Sequence, residues 1–203
     1  MCNQSDYDFN LDLYDVINRL NDGHTCEYGQ STNRASELIV YFAVWLPNCY
    51  VNWEALLPTP IVSITVNGVE GVYIASDTVE FISLLPPGFI SYYQSISFDW
   101  ERLAGAQVLQ IEFMDPYDYV DFVADTVTGT YLDHGVRVNS VFTSYRLSGS
   151  SFSQKFGDAA GRVFNPIENL TFTLVPVGAT EAENVTVPFL DVFTGNSFSD
   201  RDS

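Results

Sequence analysis

The sequence predicts an α+β fold, in which an N-terminal helix precedes a mainly antiparallel β domain carrying one or two helices. Three observations predict it. Apolar residues recur at three- and four-residue spacing between Leu11 and Leu20, the period of a helix with one buried face. From Leu57 the period changes to two, and Asn67-Gly68 stands between alternating β-formers, a strong short-range hairpin signal. No strand–helix–strand alternation of the parallel kind follows.

The helix of residues 11–20 is expected to end near Asp22-Gly23, because glycine tolerates the left-handed conformation of a helix C-terminus. Residues 25–37 are polar and patternless, a loop. "PIVSITV" (60–66) and "VEGVYIA" (69–75) are the two arms of the hairpin. "LLPPGF" (84–89) reads as a turn, since adjacent prolines are excluded from a helix interior. In residues 105–129, Val108, Leu109 and Ile111 give a strand. Asp115-Pro116 then supplies an N-cap and a first-turn proline. Tyr119, Val120, Phe122, Val123 and Val127 give the apolar face of the helix that follows, and Gly129 can cap it. "GVRVNSVFTSYRL" (135–147) reads as a further strand, and "SGSSFS" (148–153) as a flexible connection. "LTFTLVPV" (170–177) and "NVTVPFLDVF" (184–193) read as two strands joined by an acidic turn. The expected count is five to seven strands and two good helices.

Composition narrows the function. The chain has 203 residues, of which 46% are hydrophobic, enough for a real core. With 26 acidic and 8 basic residues its net charge is -18, which argues against nucleic acid or an anionic membrane surface as partner. The longest apolar run, residues 38–46, is too short for a bilayer span, which takes about 20 residues. A single lysine, Lys155, amid many Ser, Thr, Asn, Tyr and Phe residues resembles secreted proteins. Residues 1–10 are polar and acidic and show no signal peptide, which an N-terminally truncated sequence would explain. Asn3, Asn169 and Asn184 head N-glycosylation tripeptides. Cys2, Cys26 and Cys49 have no metal-type spacing. One disulfide plus a free thiol and three unpaired buried thiols both fit the sequence.

The most specific segments are "LNDGHT" (20–25), "WLPNCY" (45–50), "LLPTPIVSITVNG" (56–68), "LAGAQVLQIEFMDPYDYV" (103–120), "YLDHGVRVNSVFTSY" (131–145) and "VTVPFLDVFTG" (185–195). In this order they resemble the tail-specific, or C-terminal-processing, serine peptidases of family S41. The closer likeness is to the secreted fungal and oomycete branch related to the chlamydial protease-like factor. The resemblance spans roughly Leu13 to Gly195 and implies three parts. Residues 1–56 hold the N-terminal helix, the His-bearing turn and a loop. Residues 57–195 form a PDZ-like domain. Residues 196–203 are a tail leading to a protease core absent from the chain.

The resemblance also implies that His24 is the general base for a serine on that core, presented by Asp22, Gly23 and Thr25. An imidazole titrates near neutral pH, as that role needs. Nucleophile and acid are absent from these residues: no Gly-x-Ser-x-Gly elbow occurs, and Ser148, Ser150 and Ser151 sit in a Gly/Ser stretch without an acidic partner pattern. Residues 26–44 are extra relative to the family. The implied function is the substrate-binding or regulatory portion of an S41-like serine peptidase, a secreted glycoprotein whose partners are a peptide or protein substrate and the core. The alternatives are a stand-alone peptide-binding pseudoenzyme and a secreted β-rich interaction domain. The chain alone is expected to be inactive.

No cofactor and no metal are called for. His24 and Cys26 alone make a weak ligand pair. His134 is expected in a turn, and Asp118 and Asp121 on a solvated helix face. Tyr117, Tyr119 and Phe122 are expected to split between core packing and an exposed edge, and Trp45, Trp53 and Trp100 to pack. His24 is expected to face an apolar docking surface to which residues 38–46, Phe189 and Leu190 contribute.

Overall fold

The computed structural model describes residues 16, 19–20, 53–83, 85, 87–128, 131–148, 151–160 and 169–193. Its centre is a five-stranded antiparallel sheet. The strands are β2 (Ile61–Val66), β3 (Val69–Ile74), β4 (Gln107–Ile111), β7 (Asn169–Val175) and β8 (Glu183–Pro188), in the spatial order β2-β3-β4-β7-β8. β1 (Trp53–Leu56) pairs separately with β9 (Leu190–Phe193), and β5 (Ser144–Ser148) with β6 (Ser151–Lys155). Among the described residues four further α-helical segments accompany them: α1 (Thr78–Ile82), α2 (Pro87–Ser95), α3 (Pro116–Thr126) and α4 (His134–Val141). The predicted α+β class is therefore the observed one.

The hairpin forms where predicted. Asn67 and Gly68 both take positive φ, 54° and 82°, and Val66 stands opposite Val69. That is the two-residue turn whose twist matches the flanking strands. Because side chains alternate along a strand, the register fixes the two faces of the sheet. Ile61, Val72, Ile74, Val108, Phe172 and Leu174 fall on one face and are buried. Gln107, Gln110, Thr173 and Asn184 fall on the other. α3 and α4 cover the buried face, placing Val120, Val123, Ala124 and Val141 in the same core. A second cluster of Leu56, Ile82, Phe89, Tyr93 and Trp100 builds the helical stretch between β3 and β4.

α3 starts as its sequence requires. The Asp115 carboxylate accepts from the Tyr117 N–H at 2.9 Å, and Pro116 occupies the first turn, a cap worth about 1 kcal/mol. Several expectations are corrected. Residues 135–147 are not one strand: α4 takes His134–Val141, capped by the Asp133 carboxylate on the Val136 N–H, and only Ser144–Ser148 is extended. The 148–153 stretch is not simply a connection, since Ser151–Lys155 pairs with β5. The 184–193 strand is two strands, β8 and β9, parted at Phe189. Residues 87–89, expected in a turn, instead open a helix that the sequence does not predict, with Pro87 in its first turn. Its signal was Phe89 and Tyr93, four apart and both buried. Of the N-terminal helix, only Val16, Arg19 and Leu20 are among the described residues: Val16 is helical and Arg19-Leu20 form a turn.

A second two-residue turn closes β4. Ile111 and Met114 exchange both backbone hydrogen bonds, at 3.1 and 2.9 Å, while Glu112 and Phe113 take φ of 49° and 63°. Neither is a residue that favours this region. Glu112 has a reason to be there. Its N–H donates to the Thr171 carbonyl at 2.8 Å and its carboxylate accepts from the Thr171 N–H, extending the β4–β7 ladder through a side chain. Phe113 is 67% exposed and has no such compensation. Phe113→Gly is therefore expected to stabilise the fold by about 1 kcal/mol, the order of the left-handed penalty it removes. Urea unfolding checks this; a midpoint unchanged or lowered would refute it.

Burial raises the pKa of Tyr93 and Tyr119, with Tyr92 and Glu112 adding to it respectively. Their hydroxyls donate to the carbonyls of Pro188 and Ala159, each at 2.9 Å. The neutral phenol is the folded form. Its contribution is complete below the unfolded-chain value of about 10 and is lost above it, as the unfolded chain ionises first. Unfolding free energy is expected to fall above about pH 10 by roughly 1.4 kcal/mol per pH unit for each tyrosine. A Tyr119→Phe variant should show a shallower alkaline slope; an unchanged slope would count against it.

Candidate functional site

Of the sequence-predicted site, His24 lies outside the described residues, as do Asp22, Gly23, Thr25, all three cysteines, Trp45 and residues 26–46. Ser150 is outside them too, whereas Ser148 and Ser151 stand opposite each other in the β5–β6 register. Phe189 and Leu190, expected to help form an exposed apolar surface, are half-buried and pack on the first and second cores respectively. Trp100 is buried as expected.

His134 is the first residue of α4 rather than part of a turn. Its Nε2 lies 3.2 Å from the Asp121 carboxylate and its Nδ1 lies 3.2 Å from that of Asp125, one helical turn along α3. Asp121 is thus not simply solvated. The Arg137 guanidinium completes the cluster, 3.5 Å from Asp125 and 3.4 Å from His134 Nδ1. Arg137 is 8% exposed, and its other donors reach the carbonyls of Ala124 at 3.0 Å, Tyr131 at 2.8 Å and Leu132 at 3.0 Å. It therefore closes the end of α3, where a cation also meets the negative end of the helix dipole. Among the described residues no group of three or more His, Cys, Asp or Glu side chains is placed to hold a metal ion. The cluster fastens α3 to α4.

The chemistry that the described residues do offer lies at the outer edge of β2. Ala75 N–H donates to the Pro60 carbonyl at 2.8 Å, so in an antiparallel pair the alternate residues 62, 64 and 66 bond to β3. The backbone groups of Ile61, Ser63 and Thr65 then face outward. The first of these is taken: Thr143 N–H donates to the Ile61 carbonyl at 2.8 Å. Beyond it the edge is flanked by α3. Ser63 Oγ donates to Glu70 at 3.0 Å and lies 2.9 Å from the Tyr117 hydroxyl, and the Tyr117 and Phe142 rings meet at 6.5 Å. The aromatics of α3 split as the sequence suggests: Tyr119 is buried, while Tyr117 and Phe122 are exposed. Sequence reasoning missed Ser63 and Thr65, because period two identifies a strand but not its place at the end of a sheet.

An open depression of about 370 Å³ lies beside α2, lined by Tyr93, Phe98 and Trp100 with Asp99 and Glu101. Its ionisable groups include no imidazole or thiol, so it holds none of the usual base–nucleophile pairs.

Replacing Arg137 by Met keeps volume but leaves three carbonyls without their donor. A loss of about 3 kcal/mol is expected in urea unfolding, from unsatisfied buried acceptors. Arg137→Lys should recover part of it. A loss below about 0.5 kcal/mol, the range of a neutral surface change, would show that the carbonyls find other partners.

No family model, no curated protein and no solved structure matches this chain.

Proposed function

We propose that residues 57–195 are the PDZ-like, peptide-binding portion of a secreted S41-type serine peptidase. In this reading His24 is the general base for a serine supplied by a separate core domain. One observation carries the binding half: the outward backbone of β2 at Ser63 and Thr65, set beside the first turn of α3. A partner in extended conformation adds there as a further strand, and its main-chain hydrogen bonds supply the affinity. Thr143, bonded to Ile61, bounds the site at one end and the Asn67-Gly68 turn at the other. Glu70 and Asp118 are exposed, and the chain carries a charge of -18, so the preferred peptide is cationic. The catalytic half rests on the resemblance of residues 20–25 in their order with the segments that follow.

A panel of labelled extended peptides of either charge tests the binding. Basic peptides are expected to bind more tightly, and Thr65→Pro to weaken them about tenfold by removing one outward N–H. Proline is tolerated on an edge strand, so the melting temperature should stay close to that of the unaltered chain. Equal binding by the variant would remove β2 from the site. Casein hydrolysis with the core domain present, with and without His24→Ala, tests the base separately. Unchanged hydrolysis would leave a peptide-binding module in which His24 has no catalytic part.

A further inference from the structure

The two glycosylation tripeptides of the β domain fall on the neighbouring strands β7 and β8. Asn169-Leu170-Thr171 opens β7 and Asn184-Val185-Thr186 runs along β8. In both the middle residue, Leu170 or Val185, is buried in the core. Alternation then sends both asparagines and both threonines to the uncovered face of the sheet. Asn169, Asn184 and Thr186 are exposed there. The two tripeptides meet in register: Thr171 stands opposite Thr186, with hydroxyl oxygens 3.4 Å apart. Asn169 is opposite Pro188 and Asn184 opposite Thr173, so the acceptors are four residues apart along the pair. That is about 13 Å at 3.3 Å per residue, room for a chain on each. β8 is also a sheet edge, and Lys, the usual edge protector, is absent from it.

We propose that Asn169 and Asn184 both carry N-linked oligosaccharides, which keep this end of the uncovered face in solvent and shield the β8 edge from pairing. The bond formed is between the asparagine Nδ2 and C1 of the first sugar; the C1–O bond to the lipid pyrophosphate of the donor breaks, the lipid pyrophosphate leaves, and one Nδ2 proton passes to a base of the transferase. The inference rests on passage through a secretory pathway and is independent of peptide binding at β2, which lies at the opposite edge of the sheet.

The full chain, exported from a eukaryotic cell behind a cleavable secretion signal, is the material for the test. Peptide mapping after amidase release of N-glycans reads each site as a conversion of Asn to Asp. Both sites are expected to convert. Asn169→Gln and Asn184→Gln should each remove one glycan from the intact mass. Thr186→Ala should abolish the second site and Thr186→Ser retain it, which separates loss of the tripeptide from misfolding. Secreted, folded chain with neither site converted, or with only one, would overturn the proposal.

Discussion

The fold of the described residues follows from a sheet of which they cover one face only. The strict alternation of β7, with Leu170, Phe172 and Leu174 inward and Thr171 and Thr173 outward, leaves a single register in which all five strands agree. A slip of one residue would exchange three buried apolar side chains for Thr171, Thr173 and either Asn169 or Val175. Such a sheet needs a cover, and α3 and α4 provide it. α3 is also tied to the 158–160 segment, where Tyr119 donates to the Ala159 carbonyl and Thr128 to the Asp158 carboxylate, at 2.9 and 2.8 Å. The uncovered face does not need apolar residues, and its centre has few. Exposed exceptions include Leu109 in β4 and Ile64, Val66 and Val69, the last three gathered at the hairpin end.

The cover itself depends on satisfying the end of α3. One of only eight basic residues is spent there, buried among carbonyls, in a chain with 26 acidic residues. Arg137 suits this place because its planar fork reaches several acceptors at once, while the half-exposed Asp125 partners its charge. The segment after α4 is held just as closely. Gly157 has φ +83°, and a Cβ on it would fall 2.3 Å from the Val141 carbonyl oxygen. Asp158 N–H then donates to the Ser140 carbonyl at 3.0 Å. The chain must pass within backbone contact of the α4 C-terminus to bring Ala159 and Ala160 into the core, and glycine alone permits it.

What the sequence revealed had its chemistry written locally. Asn67-Gly68 can make its turn unaided, Asp115-Pro116 can cap and open a helix unaided, and both appear where read. The equivalent turn at Glu112-Phe113 was invisible because neither residue favours positive φ. The conformation is held by Thr171, 59 residues away in sequence. Residues 135–141 were misread for a related reason. Val136 and Val138 suggest period two, and Gly135 weakens a helix, yet the Asp133 cap and the burial of Arg137 decide the outcome. Position within the sheet was equally illegible. Hydrophobic pattern distinguishes strand from helix, but that β2 rather than β3 lies at the edge is a property of the whole order. The candidate binding edge could therefore not be named from residues 61–66, whereas His24 could be named only by likeness.

The two ends of the sheet raise one problem: an unpaired strand edge invites another strand. Lysine commonly guards such edges, and this chain has one lysine. Its charge of -18 guards them at longer range, since two copies approaching edge to edge repel before their backbones can meet. The same field is selective. It opposes another copy of the chain and, in the proposed binding, would draw in a cationic strand, so the composition that discourages self-pairing would favour one kind of guest at β2. Salt weakens both effects together, because exposed charges are screened beyond about 8 Å at physiological ionic strength. The backbone hydrogen bonds offered by Ser63 and Thr65 are short-range and keep their directionality. In the proposed binding, affinity at this edge would thus be set by the backbone, and the choice of partner by the acidic field around it.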